Sequence, residues 1–174
     1  MSSIKKTILG FALFCAAFNG HSYSQWDLSN TQKTVISDAK VISENDGHPP
    51  TLVPAIILQE SGAGTKVDNP TYMGVGQMSV VATTEVIKTY PEIGEFCQIN
   101  SRMPKSSLKQ MINRNNKCGA KLTSKYLVIL KSRYKMVSLE RLIMAYNVGP
   151  IAAKRIGTNN YTRSVINNMH NLKV

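Results

Sequence analysis

Along most of this chain apolar side chains recur at the three- and four-residue spacing of a helix, and Gly, Pro and Asn cut the runs apart. Val35, Ala39 and Val41-Ile42 form one such stripe, which predicts a helix over 31–43 that ends before Asn45-Asp46-Gly47. A second helix, over 51–60, is introduced by His48-Pro49-Pro50 and stopped at Ser61-Gly62. Ser79 can cap a helix that runs to Tyr90, where Pro91 stops it. Further helices are expected over 106–113, 117–134 and 138–147, followed by a short turn of helix over 151–156. A last helix opens at Thr158 or Asn160 and runs to about 168. Strand periodicity is weak throughout, so the expected class is mainly α.

One stretch breaks the pattern. Residues 62–78 hold Gly62, Gly64, Gly74 and Gly76 and few helix formers, which reads as a long irregular loop or a short hairpin. Val67, Tyr72, Met73, Val75 and Met78 make it too apolar for disorder. Loops longer than about 12–15 residues inside a domain are usually functional, so this one is expected to pack near something important.

The amino terminus has a different character. Lys5 and Lys6 precede an apolar run from Ile8 to Phe18, and small and polar residues lead to Ser22-Tyr23-Ser24. This is the layout of a secretory signal peptide over 1–24, cleaved after Ser24. The run falls short of the ~20 residues that a membrane-spanning helix needs, and no later stretch reaches that length. Phe14 stands where a lipoprotein site before Cys15 would need a small residue, so lipidation is not expected. The remaining chain divides into an N-terminal helical segment, 25–48, and a domain over 49–174.

Composition narrows the class further. The 174 residues suit one domain, and 43% hydrophobic against 18% charged residues exclude intrinsic disorder. Twenty-one Lys and Arg against ten Asp and Glu give +11, or +9 once Lys5 and Lys6 are removed. A basic balance of this size implies an anionic partner. With three His, three Cys and no CxxC pair, a structural zinc site is not expected. Cys97 and Cys118, the two cysteines left after export, are candidates for one disulfide; two free buried thiols are the alternative. His48 and His170 have no Ser or Cys motif to activate and are expected at the surface.

The chemistry centres on Ala55-Ile56-Ile57-Leu58-Gln59-Glu60. Glu60 follows Ile57 and Ile56 at the i+3 and i+4 offsets, so it shares their helix face. A carboxyl against an apolar wall is poorly solvated, which raises its pKa and suits it to act as a general acid. Alone, a Glu at a helix end is usually just a solvated residue.

Three further segments shift that balance. Glu60-Ser61-Gly62, Gly74-Val75-Gly76-Gln77-Met78 and Ala145-Tyr146-Asn147-Val148-Gly149-Pro150 occur in this order, and Tyr161-Thr162-Arg163-Ser164-Val165 follows. Together they resemble the catalytic domain of the bacterial lytic transglycosylases, the SLT family of the goose-type lysozyme superfamily, over about residues 50–170. In that family the corresponding signatures are Glu-Ser, Gly-Leu-Met-Gln and Ala-Tyr-Asn-Ala-Gly-Pro. Gly76 stands where the family usually has Met, and Asp68 or Asn69 where it often has Ser. The stretch 119–145 is a few residues longer than usual.

The resemblance implies a lysozyme-like helical domain in which the glycine loop forms part of the cleft. It implies one catalytic acid, Glu60, which protonates the glycosidic oxygen between N-acetylmuramic acid and N-acetylglucosamine. The substrate's 2-acetamido group stabilises the sugar cation, and Glu60 then takes the proton of the 6-hydroxyl as a 1,6-anhydro ring closes. Gln77 would hydrogen-bond sugar, and Tyr146 would orient the acetamido group or stack on a ring. Ser61 would sit beside Glu60, Met78 would supply an apolar contact, and Asn147 would hold the loop or the final helix that Tyr161 leads, all four counted among the substrate-binding residues. No metal and no organic cofactor is implied.

The expected partner is peptidoglycan, met in the periplasm or cell wall by a monomeric enzyme. A small exported chain of this kind looks like a wall-opener for a secretion or conjugation machine or for phage entry. Alternatives are a lysozyme that yields reducing ends, a scaffold that only binds peptidoglycan, and a basic helical bundle that binds nucleic acid.

Overall fold

Nine helices organise the described residues of the computed structural model, 28–172, around the most apolar of them. The expected signal peptide lies outside this range. α1 (Asn30–Asn45) and α2 (Leu52–Ser61) are joined by a short turn, and α3 (Val80–Thr89) and α4 (Pro91–Cys97) abut. α5 (Lys105–Arg114), α6 (Asn116–Ser132), α7 (Leu139–Val148), α8 (Pro150–Ala153) and α9 (Asn160–Asn171) complete the order. The expected mainly α class is therefore observed. The one β feature among these residues is an antiparallel bridge between Met73 and Met78, which makes the glycine-rich stretch end in a tight hairpin.

α2 is buried on every side from Leu52 to Leu58, as a helix without a polar face must be. It packs against α1, α9 and α6. α1 presents Val35, Ile36, Ala39 and Ile42 to the same core and so forms one wall of the domain. The Ser43 hydroxyl donates to the Pro49 carbonyl at 2.7 Å and accepts from the Val53 amide, which ties the end of α1 to the start of α2. α6 is the second hub, lined by Leu122, Leu127, Ile129 and Leu130, and it touches six other helices.

Two local expectations change. Pro91 does stop α3, but it also occupies the first turn of α4, where its missing N–H costs nothing and its fixed φ favours a helix. Glu92 in that turn complements the helix dipole. His48, expected at the surface, is buried: its Nε2–H donates to the Ser124 carbonyl at 3.1 Å. Burial outweighs that bond and the nearby Asp46 charge, so the ring pKa is lowered and the imidazole stays neutral. Ser124 and Lys125 both hold Asp46, each at 2.6 Å, so this turn is locked onto the middle of α6. His170 is exposed, as expected.

Cys97 and Cys118 form a disulfide with a sequence separation of 21 residues, fastening the end of α4 to the first turn of α6. Among the described residues no helix is long and apolar enough to cross a membrane. Replacing both cysteines by Ala should lower the unfolding free energy by about 3 kcal/mol, the entropy of closing a loop of this length. Denaturant titration checks this, and a loss under 1 kcal/mol would assign the bridge no structural weight.

Candidate active site

The site starts from how α2 ends. Gly62 adopts the left-handed conformation (φ 59°) that stops a helix, and a Cβ on it would meet the Thr65 hydroxyl at 2.7 Å. The helix therefore finishes with Glu60 in its last turn. Glu60 keeps part of its surface accessible, yet burial dominates its chemistry and raises its pKa to about 7. The Tyr161 hydroxyl donates to its Oε1 at 2.6 Å, and this bond pulls the pKa partly back down. Among the described residues no second carboxylate contributes to the shift. Asp68, the other acid of the motif region, is fully exposed and pairs with Lys109.

Tyr161 reaches Glu60 because α9 is aimed at α2. Asn159 caps α9 by accepting from both the amide and the hydroxyl of Thr162, each at 2.9 Å. Asn159 also donates to the exposed Asn147 side chain at 3.5 Å, linking the α7 motif to the helix that carries Tyr161. Asn147 thus sits at the α7–α9 junction. Burial holds the Tyr146 and Tyr161 phenols well above their usual pKa, and the Glu60 charge adds to it, so both remain neutral donors.

The hairpin is pressed onto α6 through glycines. A Cβ on Gly76 would lie 1.9 Å from Thr123 Oγ1 and 2.7 Å from the Tyr146 hydroxyl, which no side chain tolerates. A Cβ on Gly119 of α6 would meet Val75 at 2.9 Å. With both side chains absent, Tyr146 donates to the Gly76 carbonyl at 2.6 Å and meets the Thr123 hydroxyl at 3.2 Å. Gly76 is therefore matched to Thr123. Asn113 clamps the same loop twice, accepting from the Gly74 amide at 2.7 Å and donating to the Val67 carbonyl at 3.1 Å.

Two expected sugar contacts face the core instead. Ser61 is fully buried; its hydroxyl donates to the Val75 carbonyl at 2.7 Å and accepts from the Gly64 amide, stitching the tip of α2 to the hairpin. Met78 is buried as the bridge partner of Met73, because its backbone direction is set by that pairing. Gln77 is half-buried with φ 47°, and its amide nitrogen bonds the Gly74 carbonyl at 2.8 Å. Its side-chain oxygen has no protein partner among the described residues. Sequence reasoning missed Thr123, Asn113 and Asn159, which lie in or beside ordinary helices with no local motif to mark them.

Among the described residues no group of three or more His, Cys, Asp and Glu side chains is placed to hold a metal. An open depression of about 410 Å³ lies between the end of α3, α4 and the turn after it, lined by Ile87, Gly94, Gln98 and Ile99, and shares no residue with the Glu60 site. No protein-family model matches the chain, and neither does any curated protein or solved structure.

Two outcomes follow from this geometry. Gly76→Ala should cost about 1–3 kcal/mol of stability by overpacking, and less when Thr123→Ala is also present. A double-mutant cycle by thermal unfolding checks it; strict additivity would refute the matched pair. Tyr161→Phe removes a bond that lowers the Glu60 pKa, so the carboxyl should titrate above about 7 by NMR. An unchanged or lower value would contradict the assigned hydrogen bond.

Proposed function

We propose that the chain is an exported peptidoglycan lytic transglycosylase with a lysozyme-like helical fold, in which Glu60 acts as both acid and base. What carries this reading is a lone carboxyl, protonated near neutrality at the tip of an apolar helix, beside two tyrosine hydroxyls and a glycine hairpin. The four segments that resemble the SLT family in sequence belong to the elements that meet there.

In this reading Glu60 gives its proton to the bridging oxygen as the bond from C1 of N-acetylmuramic acid breaks. The acetamido oxygen of the same sugar supports the cationic carbon, so no second carboxylate is required. The Glu60 carboxylate, held by the Tyr161 hydroxyl, then accepts the 6-hydroxyl proton as O6 bonds to C1. Glu60 ends protonated, water is not consumed, and the product carries a 1,6-anhydro ring. A pKa near 7 suits a group that must both lose and regain a proton at neutral pH.

The Cys97–Cys118 bridge supports export to an oxidising compartment, and the basic surface supports an anionic wall as partner. A role as a wall-opener for a secretion or conjugation machine or for phage entry belongs to the same proposal.

Glu60→Gln keeps the shape and removes the acid, so digestion of purified sacculi should fall by about 10²–10⁴-fold. Mass spectrometry of wild-type digests should find anhydro ends. Reducing ends would make the enzyme a lysozyme-type hydrolase, and equal digestion by the variant would overturn the mechanism. Wild-type activity should decline as the pH rises through about 7, because Glu60 must start protonated.

Stability should fall over the same pH range as activity. The folded pKa of Glu60 lies above its unfolded value of 4.5, so its favourable contribution is complete below 4.5 and lost as the pH rises through about 7. Glu60→Gln should therefore melt above wild type at pH 8, by on the order of 2–3 kcal/mol, with the gap closing toward pH 5. A variant that is less stable at every pH would refute the buried-acid account.

A further inference from the structure

Charge is distributed very unevenly along this chain. From Phe96 onward there are fifteen Lys and Arg and a single acid, Glu140. The four ion pairs between side chains among the described residues each join an acid of the first half, Asp38, Asp46, Asp68 or Glu85, to a base of the second. None of these pairs falls on the connection from α7 to α9. Lys154 and Arg155 are exposed there and make no ion pair among the described residues.

The same connection is apolar at its surface and firmly held. Ile151 is 72% exposed and Ile156 39%, an arrangement with no folding benefit. Arg141 braces the segment by donating to the carbonyls of Ala153 and Ile156, which brings a third cation to it. The ledge starts just after Tyr146 and Asn147 and ends just before Tyr161, which holds Glu60. Its two ends are thereby tied to residues of the Glu60 site.

We infer that this ledge binds the carboxylate-bearing peptide branches of the glycan polymer cleaved at Glu60. The inference rests on the lytic reading of that site and adds a specificity determinant to it. Lys154 and Arg155 meet the branch carboxylates, and Ile151 and Ile156 cover its small apolar side chains. The ledge thereby favours strands that still carry peptides over bare glycan. Its attraction acts between exposed charges, so salt weakens it.

The test is the Lys154→Gln/Arg155→Gln double variant, whose side chains are exposed and outside the core. Substrates are intact sacculi and the same material with its peptides removed by an amidase. The wild type's preference for intact over stripped polymer, as a ratio of kcat/KM, should fall about tenfold in the variant, and about 0.5 M salt should reduce the wild type similarly. An unchanged ratio, or equal losses on both substrates, overturns the proposal. Co-sedimentation with intact sacculi reads the ledge without turnover. Wild-type retention that the variant loses, with no cleavage by either protein, supports the ledge while sinking the lytic reading. Loss of binding only to vesicles rich in phosphatidylglycerol would assign the ledge to a membrane and overturn the proposal as well.

Discussion

A backbone-to-helix approach closer than one methyl group sets the geometry of this protein. The Gly74–Gln77 turn lies on α6 only because Gly76 and Gly119 lack side chains, and Thr123 fills the space that remains. That contact brings the Gly76 carbonyl under the Tyr146 hydroxyl and leaves the Val75 carbonyl to Ser61. Three elements far apart in the chain are therefore fixed to one short hairpin. The disulfide sits one residue before Gly119, so the helix that receives the hairpin is covalently anchored at that end.

Glu60 takes its chemistry from this packing. The helix that carries it is buried from Leu52 to Leu58, so Glu60 stands at the edge of the apolar core with only part of its surface accessible. Desolvation pushes the carboxyl toward its neutral form, and one phenol donor limits the push. Opposed effects of this kind keep a proton available near neutrality. A fully satisfied carboxylate would be more stable there and less able to give a proton away. The positive φ values at Ala63 and Gln77, one on each side of the loop, show that the backbone accepts unfavoured conformations to bring these groups together.

The electrostatic division of the chain adds a second layer. Among the described residues, acids of the first half and bases of the second pair across the fold at four places, two of them on α6. These partly exposed pairs contribute little stability individually. Their main consequence is which cations they leave over, and the uncompensated ones include those on the bridge between the two tyrosine-bearing helices.

The helical class, the cap at Ser79 and the stop at Gly62 are all written locally, in periodicity and in residues whose side chains or φ values act within a turn. Glu60, Tyr146 and Tyr161 could be singled out for the same reason, since each lies in a short recognisable run. Other features were invisible at that level. α4 was hidden because Pro91 ends one helix and begins the next, and His48 was misjudged because the burial comes from Ser124, far along the chain. Ser61 and Met78 turned inward for a related reason: the direction of a side chain on a hairpin or helix tip depends on what the backbone is bonded to. Thr123 and Asn113 carry no local mark at all, because their roles arise only when a loop from elsewhere comes to rest on them. Local sequence thus settled which segments are helical and which carboxyl stands at an apolar tip, while long-range packing alone decided which groups touch that carboxyl and how firmly it keeps its proton.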